Sequence, residues 1–128
     1  MTFDWTAFLT LAKKLNEVNS TSETAEEYRR SAVSRAYYYA YHKTKLYIES
    51  QGVDIPKRNP HASLISLLHN NFAHAGIKIA SQLARLKDYR NQADYDLDFR
   101  YDREWVAEMI QESEALVTEL KTLQFPSQ

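Results

Sequence analysis

The chain has 128 residues, 44% apolar and 26% charged, which suits one domain around a single packed core and excludes a disordered chain. A formal net charge of -1 excludes a broad electrostatic grip on nucleic acid and leaves room only for a local basic patch. With no Cys there is neither a disulfide framework nor a thiolate metal site, and with 2 Gly and 3 Pro the chain favours long helices over a turn-rich β fold. No apolar run is long enough to cross a bilayer, and Met1-Thr2-Phe3-Asp4-Trp5 lacks the basic segment and apolar run of a signal peptide. A soluble cytoplasmic protein without a membrane partner is the expectation.

In chain order, the first predicted helix runs from about Asp4 to Val18 and sets Trp5, Phe8, Ala12 and Leu15 on one face. Asn19-Ser20-Thr21-Ser22 breaks it and offers caps for a second helix, whose first turn carries Glu23, Glu26 and Glu27. That helix runs from about Ser22 to Ser50, stops at Gly52, and carries Ala32, Ala36 and Ala40 as a small-residue stripe open to close approach by a neighbour. Tyr28, Tyr39 and Leu46 flank the stripe. A loop from Gly52 to Pro60 exposes Lys57 and Arg58 at a solvated tip. The third helix covers about His61 to Phe72, with Leu64, Leu67, Leu68 and Phe72 inward, and Ala73-His74-Ala75-Gly76 reads as punctuation. The fourth covers about Ile77 to Gln92, with Ile79, Leu83 and Leu86 inward. The stretch from Asp94 to Asp102 alternates acidic, aromatic and basic residues and reads as a loop. The last helix covers about Asp102 to Leu123, capped by Asp102, with Val106, Met109, Ser113, Leu116, Leu120 and Leu123 as its seam. The fold predicted is all-α, an up-down antiparallel helical bundle of four long helices plus a short one, with residues 1–128 as a single domain.

Two segments break the apolar patterning with arginine. Arg90 stands four residues after Leu86 and seven after Leu83, so helical spacing sends it the way of those core leucines. A guanidinium so placed must be paired, and Asp94 is four residues on. An Arg90–Asp94 ion pair closing a helix end is the plain structural reading. In Ser34-Arg35-Ala36-Tyr37-Tyr38-Tyr39-Ala40-Tyr41-His42, Arg35 and His42 lie two turns apart on one edge, with Tyr38 and Tyr39 beside them. Such a strip of cation, imidazole and phenol can contact a phosphate and stack on a base. Its plain reading is a set of core tyrosines with satisfied hydroxyls and a structural His.

Taken together, this segment and Tyr89-Arg90-Asn91-Gln92-Ala93-Asp94-Tyr95-Asp96 resemble the HEPN superfamily, in particular its small single-domain bacterial and archaeal branch, over roughly Ala32 to Asp96. The resemblance implies metal-independent RNA chemistry. In it an Arg, often followed by Asn, steadies charge on a phosphate attacked by the ribose 2′-hydroxyl, and a His a few residues later moves the proton. It also implies paired motifs across a homodimer, and no cofactor. Arg90 and Asn91 match the start of that motif. Asp94 and Tyr95 occupy the slot of the His, and no His follows later in the chain. The Ala-Asp-Tyr form resembles the small single-domain branch, often encoded beside a small nucleotidyltransferase that in some pairs modifies a Tyr next to the motif; Tyr95 is the matching position. By spacing, His42 is the imidazole nearest either motif and the candidate substitute proton carrier.

His61, His69 and His74 are eight and five residues apart, not the four of a helical zinc pair, so no metal site is expected and structural or surface roles are assigned to them. Three functions stay open on the sequence. The first is a metal-independent ribonuclease in a toxin–antitoxin-like or defence pair. The second is a non-catalytic module binding RNA, a nucleotide or a nucleotidyltransferase-type partner. The third is a helical adaptor whose arginines sit in internal ion pairs.

Overall fold

The computed structural model describes residues 3–17, 23–96 and 102–125. Within them the chain forms α1 (Thr6–Asn16), α2 (Glu23–Ser50), α3 (Pro60–Asn71), α4 (Ala73–Tyr95) and α5 (Arg103–Glu119), closed by a 3₁₀ turn at Leu120–Thr122. This is the all-α bundle the periodicity predicts. The polar break at residues 18–22 and the acid–aromatic stretch at residues 97–101 lie outside the described residues.

The longest helix is the spine. α2 has 28 residues, about 42 Å of helix, and α1, α4 and α5 all pack on it. Ala32, Ala36 and Ala40 are fully buried, so the small-residue stripe is where its neighbours come closest. Tyr37 and Ile48 fill the space beside it, while Tyr28 and Leu46 remain partly exposed. α5 begins as the sequence demands: the Asp102 carboxylate accepts the Trp105 backbone N–H at 2.7 Å. All six predicted seam residues of the last helix are buried, although α5 ends at Glu119 and Leu120 and Leu123 fall in and just after the 3₁₀ turn, so that stripe is spent on the protein's own core.

The α3–α4 junction differs from the sequence reading. Ala73-His74-Ala75-Gly76 is not a break; it is the first turn of α4. The chain turns within Phe72 and Ala73, the latter at a left-handed φ of 52°. α3 therefore folds straight back on α4. Gly76 is there for closeness rather than flexibility, because a Cβ at that position would collide with the Leu68 carbonyl and the Phe72 Cβ.

α4 also outruns its predicted end at Gln92 and continues to Tyr95. Two contacts explain the extra turn. Arg30 of α2 donates from Nη1 to the Ala93 carbonyl at 3.0 Å and the Gln92 carbonyl at 3.3 Å, placing a cation on the negative end of the helix. Asp94 also pairs with Arg90 one turn back. Among the described residues no helix is long and apolar enough to cross a membrane.

Gly76→Ala is expected to destabilise the fold by about 1–3 kcal/mol through overpacking of the α3–α4 contact, with the circular dichroism spectrum unchanged and the melting temperature several degrees lower.

Candidate functional site

Arg90 continues the inward stripe of α4 after Leu83 and Leu86, which are 0% and 1% exposed. Its own side chain is 17% exposed, so the guanidinium is set into the wall of the bundle, neither sealed nor free. Nη1 donates to Asn91 Oδ1 at 2.7 Å, and Nη2 donates to the Tyr38 hydroxyl. Nε lies 3.2 Å from Asp94 Oδ2. Its N–H is not aimed along that line, so the contact is a Coulombic pair, and Nε–H has no hydrogen-bond acceptor among the described residues. The cation also sits 5.1 Å from the Tyr38 ring centre and 5.9 Å from that of Tyr37. One carboxylate, one amide and one phenol thus fix its plane, and it is not saturated by carboxylates.

The two tyrosines come from adjacent positions on α2, about 100° apart around the helix. Tyr37 points into the core at 0% exposure, whereas Tyr38 stands half-buried against Arg90 of α4. The first turn of α3 adds His61. Its ring stacks on Tyr41 with centres 4.0 Å apart and planes 17° apart, and meets the edge of Tyr38 at 6.0 Å. His61 Nδ1 is hydrogen-bonded to the Tyr37 hydroxyl. Burial pushes that hydroxyl far above the ordinary phenol range, so it keeps its proton. Which partner donates depends on the His61 tautomer, and Nε2 makes no hydrogen bond among the described residues. Burial, then the nearby charges of Arg90 and Lys87, hold His61 below the usual imidazole range.

His42 lies on the other side of Tyr38, with ring centres 6.0 Å apart. It is pressed on Trp5 at 3.5 Å with planes 8° apart. Burial, with Lys45 and His61 adding repulsion, lowers its pKa to about 4. Two imidazoles that stay neutral at pH 7 therefore flank the phenol that holds Arg90. The sequence pointed to His42 alone and gave His61 a structural or surface role. No periodicity links position 61 to position 90; they meet only because α3 folds back on α4.

Other candidates fall into place unevenly. Arg35 lies over the Phe8 ring at 5.0 Å and lines a cleft of about 390 Å³ between α2 and the end of α4, shared with Ser31, Ser34 and Asp94. Tyr39 is not gathered with these groups, contrary to the expected strip. It is 7% exposed, and its hydroxyl, raised chiefly by burial, feels Glu114 of α5 and Asp4 ahead of α1. One residue of helix rotation separates it from Tyr38 and turns it into the core between other helices. Tyr95, the last residue of α4, is 76% exposed. His69 and His74 are exposed, and no group of three or more acidic or imidazole side chains converges among the described residues.

A family profile for the HEPN domain matches residues 9–123, which is most of the chain. This chain belongs to the HEPN domain family. No curated protein matches it significantly. The matched span runs from α1 to the end of the 3₁₀ turn, so it takes in both arginine-bearing segments and the helix that brings His61. In this HEPN domain Asp94 folds its carboxylate back on the Arg90 guanidinium, and the two imidazoles beside Tyr38 come from α2 and α3.

Replacing Tyr38 by Phe leaves Nη2 of a half-buried cation without its acceptor, so an expected loss of about 1–2 kcal/mol should appear as a lower urea midpoint at unchanged slope. The depressed His42 pKa has a definite sign for stability. The unfolded chain takes up that proton near pH 6.5 and the folded chain only near pH 4, so stability is full above 6.5 and declines as the pH falls towards 4. For a partly exposed ring the loss is on the order of 1 kcal/mol. His42→Phe, which keeps a ring against Trp5, should flatten the urea-midpoint profile across that window.

Proposed function

We propose that this HEPN domain is directed at RNA and that Arg90 is the group that meets its phosphodiester. One arrangement carries the reading: a guanidinium 17% exposed, oriented by Asn91 and Tyr38, opposed by a single carboxylate among the described residues, and flanked through Tyr38 by two neutral imidazoles. In the metal-independent reaction the ribose O2′ attacks the adjacent phosphorus, the P–O5′ bond breaks, one group takes the O2′ proton and another supplies a proton to O5′. Arg90 and Asn91 suit the negative charge that gathers on the phosphoryl oxygens. Asp94, His42 and His61 are the proton-handling groups at hand: a neutral imidazole can take the O2′ proton and, as the imidazolium so formed, return it to O5′.

A second reading has its own support. Asp94 already occupies one edge of Arg90, and the motif lacks its His, which favours an RNA- or nucleotide-binding module without cleavage. Under either reading we propose that the protein serves as one half of a toxin–antitoxin-like or defence pair, working as a homodimer. The exposed Tyr95 phenol is accessible to a nucleotidyltransferase-type partner.

RNA cleavage measured in chelator tests the main reading. Wild type is expected to cleave, Arg90→Ala to lose about 100-fold or more, and His61→Gln and His42→Ala about 10-fold or more each. Absence of cleavage, with RNA binding lost in Arg90→Ala, selects the binding module. A variant that merely melts earlier, with binding and cleavage intact, leaves only a scaffold.

A further inference from the structure

The cleft beside Arg90 is built differently from Arg90 itself. Its α2 wall consists of an exposed Glu27, Arg30, Ser31, Ser34 and Arg35; its α4 wall is Ala93 and Asp94. Arg30 is committed to Glu26, at 3.3 Å, and to the Gln92 and Ala93 carbonyls. Its effect on the cleft is to cancel the negative end of α4, which would otherwise repel an anion. Arg35 is different. It is half-buried, its guanidinium lies over the Phe8 ring, and its N–H groups have no acceptor among the described residues. The aromatic contact holds the guanidinium without neutralising it. A partly desolvated cation with five unused donors, beside two serine hydroxyls in an open cleft, is matched by a tetrahedral oxyanion.

Asp94 belongs to both places. Its carboxylate pairs with Arg90 and also lines the Arg35 cleft. An anion on Arg35 and an anion on Arg90 would therefore have a carboxylate between them. Two directly linked phosphates, as in a nucleoside diphosphate, would crowd that carboxylate with like charge. Two successive phosphodiesters of a strand would set a ribose there, whose 2′-hydroxyl can donate to it. We propose that Arg35, Ser31 and Ser34 form a second phosphate subsite, so that the ligand is an RNA strand held at two consecutive phosphates rather than a mononucleotide. This rests on the RNA reading of Arg90 and deepens it.

The salt dependence of binding of a labelled single-stranded RNA octamer separates the two. Each phosphate contact contributes about 0.7 to the slope of log affinity against log salt for a single strand. Arg35→Gln is expected to lower that slope by about 0.7 and to weaken binding about tenfold, Arg90→Gln to remove a similar increment, and the double variant to lose about 1.4. Arg35→Lys should retain the slope. Ser34→Asp, which keeps Arg35 on Phe8 but sets a carboxylate in the cleft, should weaken binding as Arg35→Gln does, and it serves if that variant fails to fold. A wild-type slope in both Arg35→Gln and Ser34→Asp, with a reduced slope in Arg90→Gln, overturns the second subsite and leaves the Arg90 reading intact. A wild type that does not bind the octamer overturns both.

Discussion

A guanidinium cannot be dehydrated without partners, and the interior of this bundle is arranged around that requirement at Arg90. α4 sends the side chain inward because its inward stripe continues past Leu86. The neighbours then supply what water no longer does: Asn91 and Asp94 from the same helix, and the Tyr38 hydroxyl from α2. Replacing such a pair with apolar groups would cost little in stability, whereas stripping one member leaves a charge stranded. A polar cluster of this kind is therefore weak as a stabiliser and informative as a site.

The aromatic groups around it act as insulation and as proton-bearing furniture at once. Tyr37, Tyr41 and His61 stack into one column that runs from the core to the half-buried His61, and Trp5, His42 and Tyr38 form a second, with Tyr38 at the edge of Arg90. Burial keeps both imidazoles uncharged, and the nearby cations reinforce that. An uncharged imidazole next to a fixed cation can receive a proton without competing for the anion that the cation attracts. The HEPN frame thus sets two imidazoles, from α2 and α3, beside Tyr38.

Much of the fold was legible from residue order. The α2 alanine stripe, the Asp102 cap and the α5 seam all follow from period and chemistry within one helix, where neighbours in space are neighbours in sequence. Helix ends were legible only where the end is local. The end of α4 was not, because Arg30, from a helix about sixty residues earlier, satisfies its carbonyls. Gly76 was misread for a related reason. A glycine that breaks a chain and a glycine that admits a neighbour look alike until the neighbour is known.

The site divides along the same line. Residue order by itself determined that Arg90 points inward, that Asp94 lies within its reach and that Arg35 and His42 share a helix edge, since each statement concerns a single helix. Tertiary structure alone decided that Tyr38 and not Tyr39 meets Arg90, that His61 joins His42 beside it, and that Arg35 has no carboxylate partner among the described residues. Those outcomes depend on how α2, α3 and α4 rotate and slide against one another, and packing between helices leaves no period in the sequence.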